Sequence, residues 1–133
     1  MSHEDVQIAR RAIDAFNARD VGLFIALTTS DFEWSPSMVA IEGEVFRESE
    51  GIRRYFASLG EAWEEFLIKP ERFLDHPDLV AMLGRLSGRG KNSGVTVNAS
   101  LGMVFDFSNA KIARIRGYLD HGEALQAAGL PLP

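Results

Sequence analysis

Apolar residues recur along this chain in two different periods, and the change of period predicts its elements. Val6, Ala9, Ile13 and Phe16 fall at intervals of three and four, the stripe of an amphipathic helix. Ahead of them, Ser2-His3-Glu4-Asp5 has capping-box spacing. Asn17 to Asp20 breaks the stripe, and Asp20 is placed to cap a short second helix that turns Leu23, Phe24 and Leu27 inward. Asp31 to Ser37 alternates, with Phe32 and Trp34 on one side, and reads as a strand stopped by Pro36. Residues 38–48, with Met38, Ile41 and Phe46, read as a loop or short strand. Ser49 then caps a third helix whose face carries Ile52, Tyr55, Phe56, Leu59, Ala62 and Trp63.

From Phe66 the period is two. Residues 66–74 and 79–89 are strands joined by the turn Asp75-His76-Pro77-Asp78. The first part of the second strand is apolar on both sides, with Leu79, Ala81 and Leu83 alternating with Val80, Met82 and Leu86. Such a strand needs a cover on each face. Val95 to Phe107 alternates most regularly: Val97, Ala99, Leu101, Met103 and Phe105 lie on one face, and mostly polar residues lie on the other. After a turn at residues 108–111, Ile112 to Leu119 forms the last strand. Asp120 caps a final short helix closed by Gly129. Helices first and antiparallel strands later predict an α+β domain, helices on one face of a sheet.

At 133 residues the chain fits one domain, 1–133. The 46% hydrophobic and 25% charged fractions are those of globular proteins. A net charge of −5 disfavours nucleic acid or an anionic membrane as partner. The absence of cysteine removes disulfides, thiolate chemistry and cysteine-ligated metal, and fits a cytoplasmic protein. No apolar run reaches the roughly 20 residues of a membrane span. His3, His76 and His121 have no ligand partners at helix-face spacing, so no metal and no cofactor is expected. Gly88 to Gly94 lacks the ending of a phosphate loop and reads as a hairpin turn.

Three segments in order, RRAIDAFNARDVGLFIALTTSDFEW, EGIRRYFASLGEAWEEF and KIARIRGYLDHGEALQAAGL, resemble the SnoaL-like branch of the nuclear-transport-factor-2-like superfamily. The resemblance implies a cone: a curved, mainly antiparallel sheet wrapped around about three N-terminal helices, with an internal pocket. It also implies a homodimer through the outer sheet face, where Val80 and Met82 are expected to point. The family's chemistries map poorly. The ketosteroid isomerase base falls on Ser35, its tyrosine near Ala12 and its second acid near Met103. The limonene epoxide hydrolase set falls on Arg85, Ser87 and Gly117, with its water-holding positions at Phe32 and Trp34. The acid of the polyketide cyclases has its nearest counterpart in Asp120, which is better explained as a helix cap. No catalytic residue is assigned.

Arg85, by the same resemblance, points into the cone. There it contacts an anionic or carbonyl group of a ligand, pairs with an internal acid, or reaches solvent at the rim. Around it, Phe32, Trp34, Tyr55 and Trp63 are candidates for binding a flat apolar ligand. So are Ser87, Met103, Phe105 and Ile115, although ordinary core is the better explanation of any one apolar residue taken singly and a hollow fold shifts the balance towards binding for the set. The expected function is the binding of a small hydrophobic molecule without the family's acids. The alternatives are an isomerase, cyclase or hydratase acting on a small apolar carbonyl compound, and a purely structural role with a filled interior.

Overall fold

A computed structural model describes residues 2–36 and 44–131, except for the side chains of residues 2 and 3. The chain runs α1 (Ser2–Ala18), α2 (Val21–Ala26), β1 (Thr28–Ser35), β2 (Phe46–Arg47), α3 (Glu48–Ala62), β3 (Trp63–His76), β4 (Leu79–Gly90), β5 (Thr96–Ser108), β6 (Lys111–Tyr118) and α4 (His121–Ala128). The strands form one curved sheet in the order β2-β1-β6-β5-β4-β3. Only β1 and β6 pair in parallel. The result is an α+β fold in which α1 packs on β3, β4 and β6 and α3 packs on β1, β2 and β3. Among the described residues, no helix is long and apolar enough to cross a membrane.

The expected helix ends are met at α2 and α4. Asp20 accepts from the Leu23 amide at 3.1 Å, and Asp120 accepts from the Gly122 amide at 2.6 Å. Gly129 closes α4 in the left-handed region at φ 72°. Three expectations are corrected. The helix α3 starts at Glu48 behind Arg47, with no side-chain cap, so Ser49 lies inside it rather than capping it. Trp63 begins β3 instead of ending the helix face. Leu23 is exposed, because α2 is short and turns only Phe24 fully into the core. The strands β3 and β6 begin or end within three residues of their expected bounds, and the β3–β4 turn narrows to Pro77-Asp78. Met38 and Ile41 lie outside the described residues, as do the side chains of Ser2 and His3, on which the first cap depends.

Register decides which face each β4 residue serves. Val80, Met82 and Leu86 enter the main core with α1 and β5 residues. Ala81 and Leu83 face the other way, where with Val104 they pack under Ala124, Leu125 and Ala128 of α4. The two-sided strand is thus covered on its outer side, at these positions, by the chain's own last helix. The expectation that Val80 and Met82 face outward is therefore wrong: both are fully buried within the main core. The helix can approach because Gly102 has no side chain; a Cβ there would collide with the Cβ of Ala124.

The edge strand β3 is sealed from within. The Asn17 amide nitrogen donates to the Ile68 carbonyl, and its oxygen accepts from the Ile68 amide, both at 2.8 Å. Arg19 donates to the carbonyls of Phe16 and Phe66 at 2.6 and 2.7 Å. Groups that an edge leaves free for pairing are here bonded to the end of α1.

Candidate functional site

The helices α1 and α3 and the inner sheet face enclose an aromatic cluster. Trp34 stacks on Phe24 at 4.8 Å and meets Tyr55 edge-on at 4.6 Å. Phe16 contacts Trp34, Phe56 and Phe66 in edge-to-face geometry at 5.7–6.1 Å. Such contacts are the preferred arrangement of ring quadrupoles. Strand alternation supplies Ile68, Leu86, Leu101 and Met103 from β3, β4 and β5.

Together with Pro36 and Gly117, these groups line a hollow whose free volume is only about 20 Å³. That is room for roughly one water. Deeper in, Ile13, Phe105 and Ile115 meet with no space left between them. Among the described residues, aromatic rings of α1, β1 and α3 fill most of the space at this hollow.

The residues of the candidate set separate accordingly. Trp34, Tyr55 and Met103 reach the hollow. Phe105 and Ile115 lie in the closed region beneath it. Phe32 is fully buried against Phe24, with ring centres 6.2 Å apart. Trp63 is half-buried at the start of β3, its ring against Phe66 at 5.1 Å.

Arg85 is not in the cone. It is exposed and donates through Nε to Asn98 Oδ1 at 2.9 Å. Its register partners Lys69 and Ser100 lie on the outer face, whereas Leu86 pairs with Ile68 and Ala99 on the inner one. Side chains alternate strictly along a strand, so Ser87 shares the outer face with Arg85. The lone internal guanidinium inferred from the resemblance is displaced by one position of register.

The sequence reading missed Phe16, Phe66 and Leu101 as lining residues. Their helix and strand periods mark them as core, and nothing in a period distinguishes a core residue from one that borders a void. Tyr55 is the one ionisable side chain among the described lining residues. Burial raises its phenol well above the ordinary value, while the charge of Arg19 pulls weakly the other way. Arg19 itself is lowered by burial, and its guanidinium lies over the Phe16 ring at 4.8 Å. Asp120 is engaged in capping α4. Among the described residues, no cluster of three His, Asp or Glu residues could hold a metal.

Comparison with known proteins finds no match among curated sequences. Among solved structures, an NTF2-like protein from Burkholderia xenovorans LB400 is 21% identical. It covers 96% of this chain and 97% of its own at a TM-score of 0.79. A candidate SnoaL-like polyketide cyclase from Jannaschia sp. CCS1 is 18% identical, covering 98% and 95% at 0.77. A hypothetical protein with a ketosteroid isomerase-like fold from Catenulispora acidiphila DSM 44928, in complex with trimethylamine, is 15% identical, covering 93% of each chain at 0.75. Identities this low carry the fold and no further. The SnoaL-like domain profile matches residues 9–115, most of the chain, and the protein belongs to the SnoaL-like domain family.

Proposed function

We propose that the protein binds a small, flat, apolar molecule in the aromatic hollow, with no proton-transferring acid in its lining. The observation that carries this reading is the lining itself: aromatic and aliphatic side chains converge there with a single polar tip, the Tyr55 phenol. Binding pockets are typically apolar walls with few polar groups that fix orientation. A Catenulispora acidiphila protein of similar fold was solved in complex with trimethylamine, which supports a ligand-binding use of the scaffold. With about 20 Å³ free, the ligand must displace rings that now fill the space. Opening lowers the apparent affinity by the fraction of molecules already open.

The filled hollow also favours a second reading, that it is ordinary core and the protein acts through its surface. One experiment separates the two. In a Trp63→Phe background, Trp34 is the only indole, and 1-tetralone serves as a small apolar carbonyl probe. Saturable quenching that weakens about fivefold in Tyr55→Phe is expected, the loss of one hydrogen bond to the carbonyl. Absence of saturable quenching would leave the core reading. Exchange of the probe's α-protons for deuterium faster than in buffer would favour the isomerase-type enzyme instead.

The same reading includes a homodimer through the part of the outer face that α4 leaves open. Charges alternate across this region: Glu33 faces Arg47 at 3.5 Å, and Asp106 accepts from Arg114 at 2.9 Å and Arg116 at 3.2 Å. An alternating pattern can complement itself across a twofold axis. Arg116 Nε is buried without a hydrogen-bond partner among the described residues, an acceptor a second copy would supply.

A further inference from the structure

A void roomier than the aromatic hollow lies outside the cone. It lies on the opposite side of the sheet, where α4 packs over β4, β5 and β6 and stops short of the edge strand β3. The cleft left between them measures about 330 Å³, within the range of roughly 300–1,000 Å³ typical of ligand sites. Its floor is aliphatic: Leu74 and Leu83 from the sheet, and Leu125 and Leu130 from α4 and its exit. Leu83 and Leu125 are buried; Leu74 and Leu130 are half-buried.

Among the described residues that line the cleft there is one cation. Arg72 pairs in register with Leu83, so both project to the outer side, and Arg72 is exposed and in no ion pair among the described residues. Asp75 also borders the cleft, but its register partner Val80 belongs to the main core on the other face. The charge of Asp75 acts on Asp5 of α1, which packs at the inner face. Alternation therefore turns the Asp75 carboxylate away from the cleft. The described lining of the cleft combines four leucines with a single unpaired guanidinium.

We propose that this cleft is a second small-molecule site, for a short-chain aliphatic carboxylate whose chain lies on the leucines and whose head pairs with Arg72. A guanidinium recognises a carboxylate through two parallel hydrogen bonds. The aliphatic floor selects for chain length, since each methylene removed from water adds a roughly constant increment. The site is separate from the aromatic hollow and from the charged β1–β6 surface, so it stands or falls independently of both.

The test is titration of the full chain with hexanoate, octanoate and 1-octanol, followed by amide NMR and calorimetry. Saturable shifts at Leu74, Leu83, Leu125 and Leu130 are expected, with octanoate binding about tenfold tighter than hexanoate. Arg72→Gln should weaken octanoate about tenfold and leave 1-octanol unchanged, with the wild-type spectrum otherwise preserved. Equal octanoate affinity in Arg72→Gln would overturn the assignment of the head group. Shifts confined to the Trp34 and Tyr55 region would overturn the site. A wild-type dimer that separates on Leu130→Lys, with no octanoate shifts, would overturn it in favour of a second copy as the occupant.

Discussion

Tyr55 carries most of the chemistry the hollow can offer, and its behaviour follows from where it sits. Burial raises the phenol above its ordinary value against a weaker opposing pull from Arg19. The folded chain therefore keeps a proton that the unfolded chain releases near its ordinary value of about 10. This contribution is intact below about pH 10 and is lost as pH rises from there towards the folded value. Between about pH 9 and pH 11.5, urea unfolding should show the wild type losing stability faster than Tyr55→Phe. The difference in slope approaches about 1.4 kcal/mol per pH unit. Parallel slopes would mean that the phenol reaches solvent. Asn17 shows the residue scale differently. Its position at the break of the first helix stripe is legible in the sequence, but its two bonds to Ile68, 51 residues away, are not.

Among the elements, α4 changes the molecule most for its length. Its cap and its terminator were legible from Asp120 and Gly129. Its seat was not, because a strand that is apolar on both sides announces the need for a cover without naming it. The seat depends on Gly102, where an added methyl group would meet Ala124. Gly102→Ala should cost about 1–3 kcal/mol through overpacking, measured by thermal unfolding. Ala124→Gly in the same chain should recover part of that loss, although glycine inside a helix itself costs about 1 kcal/mol. If the double variant is no more stable than Gly102→Ala alone, the contact is not what holds α4. The position of α4 also leaves the uncovered strip beside β3 in which the aliphatic cleft forms.

For the whole molecule, the register of the sheet separates residues that build the core from residues free to meet a partner. Val80 is fully buried in the main core, so Val80→Asp should prevent folding rather than split a dimer, seen as loss of dispersion in amide NMR spectra. Arg114→Glu, on the exposed face beside Asp106, should leave the fold intact and shift sedimentation from dimer to monomer. A folded, dimeric Arg114→Glu chain would exclude that surface from the interface.

The sequence by itself determined the elements, the α+β class, the caps of α2 and α4 and the inward faces of β1 and β5, because these depend on local periods and short-range hydrogen bonds. Tertiary structure alone decided three further things: the outward direction of Arg85, the closure of the hollow to about 20 Å³, and the cleft beneath α4. One residue of register reverses a side chain without changing any period. The size of a void depends on how distant rings pack together, which no local pattern records.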